Sequence, residues 1–178
     1  EEILAPVVRG MAAWGRAYKG VLYAGLMVTE EGPKVLEFNC RFGDPENQVM
    51  MPLLEGNLVD ILEACIDGKL DQVEVGWKAG ASVCVILASG GYPGAYETGK
   101  EINSPEELVK ERDIVAFHAG TALRDGKLVT NGGRVLGITS FAPTLEEAIH
   151  TAYRGVARVH FHGMHYRRDI GAKALRRG

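Results

Sequence analysis

This 178-residue sequence lacks the features of several large protein classes. Its three cysteines, Cys40, Cys65 and Cys84, stand far apart with no C-x-x-C pair, which excludes a disulfide scaffold and a cysteine zinc site and is typical of a reducing compartment. It has no run of 18 apolar residues that would predict a membrane-spanning helix, and no signal-peptide pattern opens it. Its 20 basic residues do not outnumber its 23 acidic ones, whereas a nucleic-acid or membrane-surface binder shows a clustered basic excess. We therefore expect a soluble cytoplasmic protein with no nucleic-acid or membrane partner.

The overall composition is that of an ordinary globular chain. Hydrophobic residues make up 46% and charged residues 24%, which excludes a disordered or fibrous protein. The 23 glycines are nearly twice the average share of ~7% and predict many tight turns between short strands. The chain opens with Glu1 rather than methionine, so we expect the 178 residues to be part of a longer protein.

The first half of the sequence predicts helices around one β-hairpin. Apolar residues at helical spacing indicate a helix over residues 1–17, and two β-rich runs around a Glu-Glu-Gly-Pro loop indicate a hairpin at 19–42. Asp44 and Pro45 suit the N-cap and first position of a helix that ends near 56, and another helix follows to Gly68.

The second half predicts short strands with a few helices. The expected strands are 81–88, 114–118, 121–123, 128–130, 134–141 and a last one near His160. Capping boxes at 104–107 and 144–147 each open a helix, and a short basic helix begins at Ala172. The order shows no regular βαβ alternation, so the predicted fold class is α+β, with a seam between two domains at residues 70–80.

The strand predicted at 34–42 carries the most informative polar residues. Alternation along it gives an apolar face that we expect to pack in the core, formed by Leu36, Phe38, Cys40 and Phe42. The opposite face carries Glu37, Asn39 and Arg41, about 7 Å apart at a rise of ~3.3 Å per residue. Two hard oxygen ligands side by side suit Mg²⁺, and an adjacent arginine suits a phosphoryl oxygen. A solvated polar face on a half-buried hairpin explains the same pattern, and the residues alone leave both interpretations open.

Six stretches of this sequence in the right order resemble one enzyme family. Two of them are GVLYAGLM at 20–27 and KVLEFNCR at 34–41, the second continuing directly into FGDPE at 42–46. The others are ASGGYPG at 88–94, FHAGT at 117–121, TNGGRVL at 130–136 and YRRDIG at 166–171. The chain is similar over essentially its whole length to the glycinamide ribonucleotide synthetases, or phosphoribosylamine–glycine ligases, of the ATP-grasp superfamily. The run E-F-N-x-R-F-G-D-P-E is specific to that family, whereas E-x-N-x-R is shared among ATP-grasp ligases.

The resemblance implies a reaction and an assignment of site residues. The implied reaction is the ATP-dependent ligation of glycine to 5-phosphoribosylamine in purine biosynthesis, with release of ADP and phosphate. Glu37 and Asn39 would hold Mg²⁺ or Mn²⁺ bound to the ATP phosphates, with Arg41 as the catalytic residue. Phosphoryl transfer needs positioning and charge neutralisation more than a protein nucleophile, which agrees with this set.

The resemblance also implies which part of the ligase this chain represents. Residues 1–76 match the end of the ATP-grasp domain, a β-hairpin plus helices. Residues 77–178 match the small β-rich C-terminal domain of rudimentary hybrid type. The N-terminal domains of the same protein, including the lobe whose lysine covers ATP, are outside the chain and are its expected partners. We therefore expect these residues alone to be inactive.

Three further residues are candidates for substrate binding. Asp44 and Glu46, one loop beyond the metal strand, suit the ammonium group of glycine or the amine of phosphoribosylamine, although Asp44 also suits an N-cap. Arg134 follows the turn at 131–133 and suits a substrate anion, or equally a surface ion pair. The histidines near the C-terminus are not expected to bind a metal.

Two other functions stay open at this point. One is a non-catalytic remnant or interaction module that keeps the fold and binds a partner subunit. The other is an ATP-grasp ligase acting on a different carboxylate, which the F-G-D-P-E continuation and the later stretches disfavour.

Overall fold

The structure is a computed structural model that describes residues 2–103 and 111–176. The chain forms two compact units, one of residues Glu1–Glu46 and Glu55–Gly76 and the other of residues Asn47–Leu54 and Trp77–Gly178. The mixture of helices and small antiparallel sheets confirms the predicted α+β class.

The first unit is built from two helices and a β-hairpin. Its elements are helix α1 (Leu4–Ala13), strands β1 (Tyr23–Thr29) and β2 (Gly32–Asn39), and helix α3 (Leu58–Asp67). Pro6 is compatible with α1 because it falls in the first turn, where its missing N–H has no partner to lose. Helix α3 begins after Asn57, whose side chain accepts a hydrogen bond from the Val59 N–H, and ends at Gly68 in the left-handed conformation.

Short elements lie where the chain passes from one unit to the other. They are helix α2 (Glu46–Met50), a 3₁₀ turn (Met51–Leu53), strand β3 (Leu54–Glu55), a 3₁₀ turn (Leu70–Gln72) and strand β4 (Gly76–Trp77). Strands β3 and β4 form a two-stranded sheet. The single helix predicted at 44–56 is thus a five-residue helix followed by a 3₁₀ turn, and it begins at Glu46.

The second unit holds a three-stranded antiparallel sheet covered by one long helix. Its strands are β5 (Ala81–Ala88), β6 (Ile114–His118), β7 (Thr121–Arg124), β8 (Lys127–Thr130) and β9 (Arg134–Ala142), and its helices are α4 (Leu145–Val156) and α5 (Ala172–Leu175). The larger sheet has the order β5–β9–β6, and β7 pairs with β8 in a separate hairpin. Helix α4 begins at the predicted capping box and packs on β5 and β9.

The hydrophobic core of the second unit lies between this sheet and helix α4. Its largest fully buried apolar side chains are Val85, Leu87, Val135, Leu136, Ile138, Val156 and Phe161. Alternate residues of β5 point into it, as a strand with one core face requires.

One element predicted for this unit is absent from the structure, and another lies outside the described residues. The prediction of a strand near His160 is wrong. The segment makes only isolated bridges, Asn103 with His160 and Ala88 with His165. Between these bridges the chain turns at Gly163, whose φ of 76° interrupts any extended run. The helix expected from the capping box at 104–107 lies outside the described residues.

Candidate functional site

The predicted metal ligands are neighbours at the end of strand β2. The Asn39 side-chain Nδ2 donates a hydrogen bond of 2.9 Å to Glu37 Oε1, so the two side chains share one face. Glu37 Oε2 and Asn39 Oδ1 are the oxygens not used in this bond. A carboxylate and an amide oxygen side by side are the hard ligands that Mg²⁺ prefers, so this donor set fits the ion.

A glycine of the opposite strand makes room for the Glu37 carboxylate. Gly25 pairs with Glu37 in the hairpin register. A Cβ at position 25 would lie 3.0 Å from Glu37 Cγ, closer than ordinary van der Waals contact. The only sequence signal for this role is a glycine inside a strand, which indicates a bulge or a close approach.

Tyr23 is a site residue that the sequence analysis missed. It pairs with Asn39 across the hairpin. Burial, followed by the negative charge of Glu46, raises the pKa of this phenol above its ordinary value. The hydroxyl therefore keeps its proton at neutral pH. Nothing in its strand position distinguishes it from a core tyrosine.

Arg41 does not lie on the strand face predicted for it. Strand β2 ends at Asn39 because its pairing partner β1 begins at Tyr23, directly opposite. Arg41 therefore lies in the bend that follows, where its Nη1 donates a 2.9 Å hydrogen bond to the Phe42 carbonyl oxygen. The positive charge of Arg41 opposes the rise in the pKa of Tyr23, so the guanidinium lies near this phenol.

Asp44 and Glu46 follow this bend, one on each side of Pro45. Asp44 is exposed and lies in a turn, so it is not the N-cap of α2, which begins two residues later at Glu46. The Glu46 side chain lies over Gly43, where a Cβ would collide with Glu46 Oε2. Among the candidate substrate-binding residues, Glu46 is thus the one whose orientation has the clearest structural support.

The apolar face of β2 is not a core face in this chain. Leu36 is 65% exposed and Phe38 is 40% exposed, so the prediction that they pack in the core is wrong. The described residues build only a two-stranded sheet here, which leaves this face open. The strict alternation also fails at Leu36, because Gly25 pairs with Glu37 while the next residue, Leu26, pairs with Val35.

Arg134 belongs to the second unit. It is the first residue of β9, opposite Ala88, and it is half-buried with an interaction partner. The neighbouring turn is packed tightly, since Ser89 Oγ donates to the Gly132 carbonyl oxygen at 2.8 Å.

Within residues 2–103 and 111–176 no three His, Cys, Asp or Glu side chains are grouped so as to hold a metal ion. No helix in the same ranges has the length and apolar character needed to cross a membrane.

Two family models match the sequence. "Phosphoribosylglycinamide synthetase, C domain" matches residues 82–173, which is more than half of the chain. "Phosphoribosylglycinamide synthetase, ATP-grasp (A) domain" matches residues 1–47.

Individual proteins match over nearly the whole chain. A phosphoribosylamine–glycine ligase of Synechocystis sp. is 53% identical over 98% of this chain and 42% of its own length. A "trifunctional purine biosynthetic protein adenosine-3" of Gallus gallus is 50% identical over 98% of this chain and 17% of its own. The crystal structure of the Thermotoga maritima phosphoribosylamine–glycine ligase is 43% identical with a TM-score of 0.78, and the match covers 90% of this chain and 39% of that one. The chain thus spans about two fifths of the single-activity ligases that it matches.

Proposed function

Since the chain belongs to the phosphoribosylglycinamide synthetase family, we propose that it is the C-terminal part of a phosphoribosylamine–glycine ligase. The complete protein would join glycine to 5-phosphoribosylamine at the expense of ATP, giving glycinamide ribonucleotide, ADP and phosphate. We place this reaction in the cytoplasm, in keeping with three cysteines that form no disulfide. The remaining domains of the same protein, which this chain does not include, complete the active site.

We assign the domains as the sequence predicts, with residues 1–76 ending the ATP-grasp domain and residues 77–178 forming the C-terminal domain. The family matches at 1–47 and 82–173 support this division. The two compact units support it as well, apart from the short segment Asn47–Leu54, which packs with the second unit.

The observation that carries the proposal is the pairing of Glu37 with Asn39 at the end of β2. These residues would hold the Mg²⁺ or Mn²⁺ that accompanies ATP through Glu37 Oε2 and Asn39 Oδ1. When bound, the ion neutralises phosphate charge during phosphoryl transfer. Arg41 would add a positive charge beside the same phosphates once its hydrogen bond to the Phe42 carbonyl is exchanged for a phosphoryl oxygen.

The proposed chemistry has two steps that balance without a protein nucleophile. The glycine carboxylate attacks the γ-phosphorus of ATP, which releases ADP and leaves a glycyl phosphate. The amine of phosphoribosylamine then attacks the glycyl carbonyl carbon, loses a proton and expels phosphate. Asp44 and Glu46 would bind the amino group of one of these substrates, and Arg134 would pair with a substrate anion.

The direct test is ADP release by the complete ligase that contains this chain. With ATP, Mg²⁺, glycine and phosphoribosylamine all present we expect steady ADP release and formation of glycinamide ribonucleotide. Omission of either amine substrate should stop product formation. ADP release that depends on a different carboxylate would identify another ATP-grasp ligase, and no turnover with any of them would favour a non-catalytic module.

A further inference from the structure

Three of the six stretches that resemble the ligase family meet at one end of the larger sheet of the second unit. They are residues 88–94, which run on from β5, residues 117–121, which end β6, and residues 130–136, which lead into β9. Strand β9 is antiparallel to both of its neighbours, so the ends of β5 and β6 lie beside its start. Arg134 is the first residue of β9 and lies where these stretches meet.

Ser89 holds the turn that precedes Arg134 by two hydrogen bonds. Its Oγ donates to the Gly132 carbonyl oxygen at 2.8 Å, and its N–H donates to the Gly133 carbonyl oxygen, also at 2.8 Å. Ser89 is only 3% exposed, and hydrogen bonds are stronger in such a low-dielectric surrounding than in water. The Gly133 carbonyl and the Arg134 N–H belong to one planar peptide group, so the second bond fixes the backbone directly at Arg134.

The loop after β6 packs against the same turn, backbone on backbone. The Asn131 N–H donates to the Gly120 carbonyl oxygen at 2.7 Å. A Cβ at Gly120 would lie 2.6 Å from the Arg134 carbonyl oxygen and 2.8 Å from Gly132 Cα, so a side chain does not fit there. The turn is therefore held by the loop after β5 and by the loop after β6.

A β-bulge directly after Arg134 sets the direction of its side chain. Ala88 of β5 pairs with Arg134. The residue before it, Leu87, pairs with Leu136, so β9 has one residue more than β5 at this point. The carbonyl oxygen of this extra residue, Val135, accepts hydrogen bonds of 3.0 and 3.1 Å from two N–H groups of the loop after β6. Bulges re-aim the side chains beside them and are frequent next to active sites. The backbone is thus fixed on both sides of Arg134, as a side chain that must meet a charged group at a set place requires.

We propose that Ser89 is a positioning residue whose hydroxyl holds the turn at 131–133 so that Arg134 meets a substrate anion. The inference deepens the proposed function and rests on it, because that function pairs Arg134 with a substrate anion. Ser89 does not touch the substrate and acts through the backbone from which Arg134 projects. ATP, glycine and phosphoribosylamine all carry anionic groups, and separate KM values identify the one that Arg134 binds.

The test is steady-state kinetics on the complete ligase. In Ser89→Ala we expect the KM for one of the three substrates to rise about fivefold, as for the loss of one neutral hydrogen bond, with kcat unchanged. Arg134→Gln should raise the same KM about tenfold or more, because the charged donor is lost. The double variant should match Arg134→Gln alone, since Ser89 acts only through that side chain.

Ser82→Ala is the matched control. Ser82 lies at the other end of β5, and its hydroxyl likewise donates to a backbone carbonyl oxygen, that of Ser140 at 2.9 Å. We expect Ser82→Ala to lower the melting temperature, because this hydrogen bond is lost. All three of its KM values should equal those of the wild type, because Ser82 is remote from the turn at 131–133.

A merely structural role for Ser89 would lower the melting temperature of Ser89→Ala and leave its three KM values unchanged, which overturns the inference. Additive effects in the double variant, or unchanged KM values in Arg134→Gln, overturn it as well. If Ser89→Ala does not fold, Ser89→Cys, which keeps a side chain of similar size with a weaker donor, decides by the same KM criterion. An inactive wild type overturns the proposed function together with this inference, whereas an active wild type with any of these results overturns this inference alone.

Discussion

At the scale of single residues, the geometry of the site depends on two glycines, which have no side chain, as much as on its polar side chains. Gly25 and Gly43 each leave the space that a carboxylate occupies, Glu37 in one case and Glu46 in the other. Neither glycine has a backbone conformation that demands glycine, because neither has a positive φ. Glycine is therefore required at these positions by the space beside the backbone, and substitution by alanine tests that requirement.

Gly25→Ala is expected to weaken metal binding by the complete ligase. A Cβ at 3.0 Å from Glu37 Cγ must displace that side chain, and displacement of a metal ligand by a neighbouring change costs about tenfold or more in affinity. The measurement is the Mn²⁺ affinity in the presence of ATP. Gly10→Ala is the matched control, because a Cβ there meets nothing within 4 Å. Equal affinities of the two variants would show that Gly25 does not position Glu37.

The C-terminal segment contains an ion pair with a defined pH dependence. Arg167 donates two hydrogen bonds to the Asp169 carboxylate, at 2.9 and 2.8 Å. This bonding to Arg167 holds the pKa of Asp169 below its ordinary value. A carboxyl whose pKa is lowered by folding stabilises the fold above its unfolded pKa of ~3.9, and that contribution is lost as the pH falls through the folded pKa.

An NMR titration of the Asp169 carboxyl tests this pair. In the wild-type chain the midpoint should lie below that of a free aspartate, and in Arg167→Gln it should rise towards the ordinary value. Arg168→Gln is the control, since Arg168 stacks over the Tyr166 ring instead. A midpoint that does not move in Arg167→Gln would contradict the assigned cause.

The residues of the site differ in how far the sequence could predict them. The pairing of Glu37 with Asn39 follows from the two-residue period of a strand, which survives at this end of β2. The place of Arg41 does not follow from this period. A strand ends where its partner strand ends, and the sequence of β2 does not show that β1 begins at Tyr23. The place of Tyr23 opposite Asn39 could not be predicted, since it depends on the pairing register between β1 and β2.

At the scale of elements, local chemistry predicts helix starts better than it predicts strand environments. The capping box that opens α4 forms as expected: the Glu147 N–H donates to Thr144 Oγ1 at 3.3 Å, and the Thr144 N–H donates to Glu147 Oε2 at 3.2 Å. All four groups lie within four residues, so the sequence alone specifies them. The environment of β2 depends on what covers it, which four-residue patterns do not encode.

Thr144→Ala should destabilise the second unit measurably. Loss of an N-cap side chain costs about 1 kcal/mol, which lowers the melting temperature of a protein of this size by about 2–4 °C. Thr144→Ser keeps the hydroxyl and should retain most of the stability. Thermal unfolding followed by circular dichroism measures both. A Thr144→Ala variant as stable as Thr144→Ser would show that the capping box contributes nothing to α4.

At the scale of the whole molecule, the two units are stabilised very differently. The second unit has a core of fully buried side chains between its sheet and α4. The hairpin of the first unit is two-stranded, and Val28 at its tip is 83% exposed. A two-stranded hairpin is marginally stable in water unless another element covers it. We therefore expect the exposed face of β2 to be covered in the complete protein.

Hydrogen exchange tests this contrast between the units. In the isolated 178-residue chain, amides of β9 should be protected about 100-fold or more over those of β1 and β2. In the complete ligase the hairpin amides should gain protection, while those of β9 change little. Equal protection of hairpin and β9 in the isolated chain would contradict the view that the hairpin lacks part of its packing surface.

The central claim is that Glu37 and Asn39 hold the divalent ion of the ligase. Its most direct test is the binding of Mn²⁺ to the complete protein with ATP, followed by loss of the electron paramagnetic resonance signal of free Mn²⁺. Glu37→Gln should weaken binding about tenfold or more, because an anionic oxygen ligand is lost. Glu31→Gln removes a carboxylate from the turn of the same hairpin, where it pairs with Lys34 at 2.9 Å, and should bind as the wild type does. Unchanged Mn²⁺ affinity in Glu37→Gln would contradict the account.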